Sequence, residues 1–191
     1  VHHISRSASQ KPFSKSHGLI KKAFFHWTKP QLLLMTNKNV HIFNLQKQAT
    51  EKKLKSGAEF NSSLCLHPYG DNIIIGSEDK KVTSLVMAAI WYDLDLSDTP
   101  YKTLEYHAKG ITQVDFSKTY PLMATASNDG TVHVLHAKVF TDLLQNALIV
   151  PLKILKGHSV KDGEGVKEVK FHPTQPWVFS AGVDGKICLW T

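Results

Sequence analysis

Cysteine is scarce in this chain, and the two that occur, Cys65 and Cys188, lie far apart in the sequence. This excludes a disulfide framework and a CxxC metal pair, and it fits a protein of a reducing compartment. Long apolar runs are absent as well. The longest, Leu85–Tyr92, is far too short to span a bilayer, so no membrane partner is expected.

The sequence also lacks the local motifs of the common enzyme classes. It contains no GxxxxGK[ST] phosphate-binding loop, no GxSxG nucleophile turn, no HExxH zinc motif and no close pair of carboxylates. Its 11 histidines fall at strand and turn positions without the spacing of metal ligands. We therefore expect no enzyme activity, no catalytic residue, no cofactor and no metal site.

What the sequence has in excess is positive charge. Its net charge of +7 indicates an acidic partner such as RNA, and ordinary solvated lysines are the alternative explanation. The candidates for RNA contact are the basic residues near the start of the chain: Arg6, Lys11, Lys15, Lys21 and Lys22. The same segment is equally interpreted as an outer strand whose charges discourage pairing with other sheet edges.

Four segments of the chain align on an apolar residue that closes a short apolar run. These residues are Phe25, Leu66, Phe116 and Phe171, spaced by 41, 50 and 55 residues. Three copies continue with a proline, at Pro30, Pro121 and Pro176, and three have an aspartate in a polar turn, at Asp79, Asp129 and Asp184. An alternating strand follows, as in the VHVLHA of residues 132–137.

Each copy is therefore interpreted as three short strands joined by two tight turns. Alternation with period 2 favours strands over helices, and the Asp-Gly pairs at 129–130 and 184–185 are strong hairpin signals. Repeats of this length and layout predict an all-β fold of the WD40-type β-propeller class. We place the repeats at residues 19–45, 60–96, 111–137 and 166–191. Residues 1–18 would end a preceding blade, with Val1–Ser5 as its third strand and Ser9–His17 as its outer strand.

The predicted propeller is incomplete. Four repeats and part of a blade are fewer than the usual seven blades, so the sequence predicts the C-terminal part of a larger ring. The last repeat ends at its third strand, Lys186–Thr191, which is expected to form an open sheet edge.

Two repeats carry polar residues that can satisfy one another's hydrogen bonds. The set comprises His158, Ser180, Asp184 and Trp190 in the last repeat, and His107, Thr125 and Asp129 in the third, where His136 replaces the tryptophan. A buried carboxylate needs donors and a buried indole needs an acceptor, so a structural role is predicted. The alternative, a Ser-His-Asp hydrolase triad, is disfavoured because the same positions recur between repeats.

Two segments depart from the repeat pattern. Thr83–Ile90 are extra residues, small and apolar, that would form a hairpin or a longer strand, or would be a translated intron. The last is favoured, because an apolar insertion is hard to bury on a single blade. In the long connection Lys138–Leu155 we predict a helical turn at Thr141–Asn146 and an outer strand at Leu152–Leu155.

Several stretches resemble the C-terminal propeller of the block-of-proliferation family of eukaryotic ribosome-biogenesis factors. They are DLLQN (142–146), LIVPLK (148–153), LKGH (155–158), FHPTQPWVFSAGVDG (171–185), WYDLDLS (91–97) followed by Pro100-Tyr101, HPYGDNIIIGSEDK (67–80) and SQKPFSKSHG (9–18). The resemblance covers nearly the whole chain. The NALIVP loop (146–151) is more specific to this family than the WD features, which many propellers share.

The resemblance implies a non-enzymatic scaffold of the nucleolus and nucleoplasm that acts in large-subunit assembly and precursor rRNA processing. It implies three kinds of partner: a pescadillo-type protein, a second WD-repeat protein, and the pre-ribosomal particle with its rRNA. The N-terminal region of the family, which carries much of the pescadillo and RNA contact, has no counterpart in this sequence. The alternative function is that of a general WD-repeat adaptor that binds peptides in a ubiquitin-ligase or chromatin complex.

Overall fold

The computed structural model describes residues 18–70, 72–78, 88–95, 97–140 and 147–191, and every regular element in these ranges is a β-strand. Blade 1 contains β1 (Ile20–Phe25), β2 (Gln31–Thr36), β3 (Asn39–Asn44) and β4 (Ala49–Lys55). Blade 2 contains β5 (Asn61–Leu66), β6 (Asn72–Ser77), β7 (Ala89–Asp93) and β8 (Lys102–Leu104). Blade 3 contains β9 (Ile111–Phe116), β10 (Leu122–Ser127), β11 (Thr131–Lys138) and β12 (Leu148–Lys156). Blade 4 contains β13 (Val166–Phe171), β14 (Val178–Gly182) and β15 (Ile187–Trp190).

Each blade is an antiparallel sheet whose strands follow one another in chain order. The prediction of an all-β fold, an incomplete WD40-type propeller, is confirmed. The two Asp-Gly pairs form the turns between the second and third strands of blades 3 and 4. Both turns need a left-handed backbone, with φ of 85° at Gly130 and 76° at Gly185, which glycine adopts without a Cβ clash. None of the described residues lies in a helix, so these ranges contain no helical membrane span.

The core consists of the interfaces between neighbouring blades. Blade 2 shows why its middle strand is apolar at successive positions. Ile73 and Ile75 pack into the cluster shared with blade 1, whereas Ile74 packs into the cluster shared with blade 3. Successive side chains of a strand point to opposite faces, and both faces of this sheet are covered. Burial on both sides therefore accounts for the continuous apolar run of β6.

Two elements differ from their predicted extent. The outer strand of blade 3 covers Leu148–Lys156, not only Leu152–Leu155, because it pairs with β11 along the whole length of that strand. Ala89 and Ile90 lie in the segment predicted to be extra residues, but they are part of β7 and pair with Gly76 and Ile75, respectively. Both are buried, since their side chains fill the two interfaces of blade 2.

Several predicted features lie outside the described residues. They are Val1–Ser5, Ser9–His17, the helical turn at Thr141–Asn146, the turn residue Asp79, and residues 83–87 of the extra segment. Within the described part of the chain, β15 pairs with β14 alone.

Candidate functional site

The loops of the blades gather on two opposite faces. Loops after the first and third strands of each blade lie on one face, and loops after the second and fourth strands lie on the other, because successive strands run in opposite directions. We call the first the aromatic face; it carries Trp27, Tyr69, Tyr120 and Phe140. We call the second the polar-set face; it carries His107, Asp129, His158 and Asp184.

The polar set of blade 4 forms one continuous chain of hydrogen bonds. Trp190 Nε1 donates to Ser180 Oγ over 2.9 Å, and Ser180 Oγ lies 2.8 Å from His158 Nε2. His158 Nδ1 lies 3.1 Å from Asp184 Oδ1. With the imidazole proton assigned to Nδ1, each donor has one acceptor: the indole donates to serine, serine to histidine, and histidine to aspartate.

Blade 3 has the same arrangement without the tryptophan. His107 Nδ1 lies 3.0 Å from Asp129 Oδ2, and His107 Nε2 lies 2.8 Å from Thr125 Oγ1. Thr131 adds two donors to the carboxylate, its N–H at 2.9 Å and its hydroxyl at 2.6 Å from Oδ1 of Asp129. The carboxylate of Asp129 is therefore fully engaged in this turn.

The residue that replaces the tryptophan in blade 3 is Leu135 and not His136. Trp190 pairs with Val178 of β14, and Leu135 pairs with Met123, which occupies the equivalent position in β10. His136 pairs with Leu122 instead, and among the described contacts it does not join the polar set. Adjacent residues of a strand point to opposite faces, so a shift of one residue moves a side chain to the other face of the sheet.

These contacts perturb the acid–base behaviour of both sets. The hydrogen bond from His158 and those from the N–H groups of Ser159 and Lys186 lower the pKa of Asp184 to about 2. Burial would raise the pKa of Asp129, but the hydrogen bonds from His107 and its neighbours outweigh it and hold that pKa well below its usual range. Both carboxylates are therefore acceptors across the physiological range of pH.

The order serine, histidine, aspartate is also that of a hydrolase triad, so access to the hydroxyl decides between the two roles. Ser180 is only 2% exposed, and Trp190 Nε1 already donates to its Oγ. Thr125 in blade 3 is 3% exposed. A nucleophile must reach a substrate carbon, and neither hydroxyl has that access. The geometry therefore supports the structural role that the sequence predicts for this set.

A second recurring device, which sequence reasoning missed, caps the first turn of every blade. The side chain directly after the first strand accepts hydrogen bonds from backbone N–H groups two or three positions later. His26 Nδ1 accepts from Thr28 and Lys29, and Ser117 Oγ accepts from Tyr120 at 3.1 Å. His67 and His172 occupy the same position in blades 2 and 4. The sequence signal was the polar residue after each apolar landmark, in HWTKP, HPYG, SKTYP and HPTQP.

The described basic candidates for RNA contact lie on the inner strand of blade 1. Lys21 Nζ donates to the backbone oxygen of Asn61 at 2.9 Å, and Lys22 Nζ donates to Gln113 Oε1 at 2.7 Å. Burial lowers the pKa of Lys22, and the neighbouring Lys170 acts in the same direction. Both ammonium groups thus bridge to other blades. Arg6, Lys11 and Lys15 lie outside the described residues.

Two grooves open on the aromatic face. A central groove of about 880 Å³ runs between the first strands of the blades and is lined by Trp27, Phe116 and Phe171, among others. A smaller groove of about 430 Å³ lies between blades 2 and 3, with Tyr69 and Tyr120 at its rim. The grooves share Pro68, Phe116 and Lys118, so they form one connected concave surface.

Comparison with known proteins agrees with this architecture. The family model described as "WD domain, G-beta repeat" matches residues 98–135 and 149–191. The first segment covers β8 to β11, and the second covers β12 to β15. A WD sequence repeat is offset from the structural blade, because it runs from an outer strand to the third strand of the next blade.

The chain is similar along its whole length to named proteins of three distant eukaryotes. It is 50% identical over 191 residues to "Ribosome biogenesis protein BOP1 homolog" of Chlamydomonas reinhardtii, and these residues are 23% of that protein. It is 48% identical over 191 residues to "Ribosome biogenesis protein bop1-A" of Xenopus laevis, of which it covers 25%. It is 47% identical over 192 aligned residues to "Ribosome biogenesis protein ERB1" of Yarrowia lipolytica, of which it covers 23%. The chain thus spans about a quarter of the length of these relatives, and the predicted family resemblance is confirmed.

Proposed function

We propose that this chain, which is 47–50% identical along its length to BOP1 and ERB1 ribosome biogenesis proteins, belongs to their family and is a non-catalytic scaffold segment in large ribosomal subunit assembly. Its role would include support of precursor rRNA processing. The observation that carries this proposal is 47–50% identity to such proteins along the entire chain. Because the chain covers about a quarter of these relatives, the proposed role is that of one part of a larger factor.

The proposed partners are a pescadillo-type protein and a second WD-repeat protein within a pre-ribosomal particle in the nucleolus and nucleoplasm. The fold supports a binding role for its surface, because the side chains of the buried polar sets hydrogen-bond to one another and are not available to a partner. The side chains left for partners are those of the loops and grooves. A rigid sheet scaffold with exposed loops is a common arrangement for binding surfaces.

Exchange of the matching segment in a full-length relative tests this proposal, because ribosome assembly can then be measured in living cells. The matching segment of ERB1 in Yarrowia lipolytica is replaced by these residues, and growth, pre-rRNA profiles and free large-subunit levels are measured. The chimaera should restore all three, whereas an ERB1 carrying an unrelated propeller segment of equal length should not. Failure of the chimaera at normal protein levels would contradict the proposal.

Affinity capture of the same chimaera separates the scaffold role from the alternative adaptor role. The proposal predicts recovery of precursor rRNA, a pescadillo-type protein and a second WD-repeat protein. Recovery of ubiquitin-ligase or chromatin components in their place would support a general peptide-binding adaptor.

The net charge of +7 supports direct contact with RNA as part of this function. Binding through backbone phosphates would weaken as salt rises, with each neutralised phosphate adding roughly 0.7 to 0.9 to the slope of log affinity against log salt. Fluorescence anisotropy of a labelled RNA over a salt series measures that slope. Affinity that stays constant across the series would rule out phosphate contact.

A further inference from the structure

We propose that the groove between blades 2 and 3 on the aromatic face holds a short single-stranded RNA segment. Its bases would stack on Tyr69 and Tyr120, and its phosphates would lie beside Lys118 and Lys138. The inference rests on the RNA-contact part of the proposed function and assigns that contact a place. It differs from the sequence expectation, which put the contact on the basic residues near the start of the chain.

Both walls of this groove belong to complete blades. Blades 2 and 3 each contain all four strands, and the groove lies at their junction. Its walls come from the turn after β5, the turn after β9 and the end of β11. All of the described residues that line it belong to these two blades. Its floor is firm, because Phe116 packs edge-on against Trp91 at 5.5 Å and against His67 at 5.0 Å between ring centroids.

The two tyrosines stand on capped turns that hold their backbone in place. Tyr69 donates its N–H to His67 Nδ1 at 3.3 Å, and Tyr120 donates its N–H to Ser117 Oγ at 3.1 Å. Their residues remain 72% and 40% exposed, respectively. Large aromatic residues left this open on fixed turns offer stacking surfaces at little ordering cost. Single-stranded nucleic acids are bound in this way, since every base has a π-face.

The groove also has the charge that a polyanion requires. Lys118 Nζ lies 5.8 Å from the centroid of the Trp27 ring, and Lys138 Nζ lies 5.0 Å from that of Phe140. None of the described residues that line the groove is Asp or Glu. Among the described ion pairs, Lys29 is matched by Asp95, but neither groove lysine is matched by a carboxylate. Both ammonium groups are held over rings, and no described carboxylate forms an ion pair with either of them.

This combination favours RNA over a protein partner. An acidic peptide would use the lysines, but it would need aromatic or apolar side chains at the right spacing to use the two tyrosine faces. A nucleic acid uses both, because phosphates and bases alternate along the strand. The central groove continues the same surface through Lys118 toward Trp27, which gives a longer strand further room.

The test is fluorescence anisotropy of the full chain with a short labelled oligouridylate and with a duplex RNA of equal length, with Ile187→Lys present in the parent and in every variant to limit self-association. The stacking variants are Tyr69→Ala and Tyr120→Ala, with Tyr69→Phe as the conservative exchange. The charge variant combines Lys118→Gln and Lys138→Gln. Matched controls on the polar-set face are Tyr106→Ala, whose residue is also 40% exposed, and the pair Lys109→Gln with Lys161→Gln. Thermal melts confirm that each variant is folded.

Each alanine variant should weaken oligouridylate binding by about five- to a hundred-fold, whereas Tyr69→Phe retains parental affinity. The double lysine variant should lower the salt slope by roughly 1.4 for a single strand. The controls should keep parental affinity, and duplex binding should respond less than single-strand binding to the loss of either tyrosine.

Three outcomes would overturn the inference. Groove variants that bind RNA like the folded parent would place the contact elsewhere, for instance at Arg6, Lys11 or Lys15, and would leave RNA binding itself intact. Variants that keep RNA affinity but lose a captured protein would make the groove a protein site. A parent chain that binds neither RNA probe would contradict the RNA-contact part of the proposed function together with this inference.

Discussion

Replacement of Asp129 by alanine removes the acceptor that organises the third blade's turn. Its Oδ2 accepts from His107 Nδ1 and from the N–H of Ala108, both at 3.0 Å. Its Oδ1 accepts from the N–H and the hydroxyl of Thr131. The His107 side chain is only 1% exposed, so water has little access to Nδ1, and Thr131 Oγ1 at 3.3 Å offers it only a longer contact than the one lost. The Ala108 N–H lies at an exposed residue, where water can replace the lost acceptor.

The expected loss of stability follows from the difference in water access between His107 and Ala108. An unsatisfied buried donor costs about 1–3 kcal/mol, and a bond replaced by water costs about 0.5–1.5 kcal/mol. Because these bonds share one acceptor, their losses are not additive, and we expect a total of about 2–4 kcal/mol in the free energy of unfolding. For a chain of this size that corresponds to a fall in melting temperature of roughly 4–16 °C.

Urea unfolding followed by circular dichroism measures the loss, with Asp98→Ala as the control. Asp98 is an exposed partner of Lys52, its side chain 61% exposed, and its loss should cost no more than about 1 kcal/mol. Asp129→Asn keeps the size of the side chain but turns a donor toward His107 or Thr131, so it should also destabilise. An asparagine variant as stable as the parent would refute the hydrogen-bond argument.

Other predictions follow from single contacts. The ring of His133 lies 4.0 Å from that of His107, and burial together with this neighbour lowers the pKa of His133 to about 4. Since an unfolded histidine titrates near pH 6.5, the folded chain should lose stability as pH falls from about 6.5 to 4, and His133→Cys should reduce that loss in urea titrations at pH 7 and 5. A Cβ at Gly157 would meet the Trp190 ring at 2.7 Å, so Gly157→Ala should lower the melting temperature and shift tryptophan fluorescence. Ile187 is 77% exposed on β15, which among the described strands pairs only with β14, so the purified chain should self-associate in light scattering and Ile187→Lys should reduce it; a monodisperse parent would contradict this.

The sequence sufficed for features whose cause is local. The hairpin at Asp129-Gly130 and the strand that follows it depend on adjacent residues, and both are present in the structure. The position of Leu135 required the register between strands, and the one-residue error at His136 arose because the alternating segment fits either register. The full length of β12 likewise depends on its pairing with β11. No local sequence pattern indicates that pairing, because Pro151 interrupts the strand.

The candidate site could be predicted only where repeats resemble one another. His158 and Asp184 were identified because the same positions recur in blade 3. The groove was not predicted, because it forms between repeats. Lys118 contacts Trp27 two blades away, and no residue spacing in the sequence indicates that contact. The caps at His26 and its counterparts are partly predictable. Their polar residues recur in every repeat, but their role depends on turn geometry, which the structure shows.

The junction of blades 2 and 3 shows how stability and binding are separated in this fold. On the polar-set face, Asn128 Nδ2 donates to Glu78 Oε1 at 2.6 Å and ties the two blades together. On the aromatic face, Phe116 is both the floor of the groove and part of the buried cluster, so its replacement would change packing and binding at once. Tyr69 stands at the rim, outside that cluster and 72% exposed, so its replacement is expected to change the free energy of unfolding less than replacement of Phe116. Changes at the rim therefore test recognition, and changes at the floor test the scaffold that holds the rim in position.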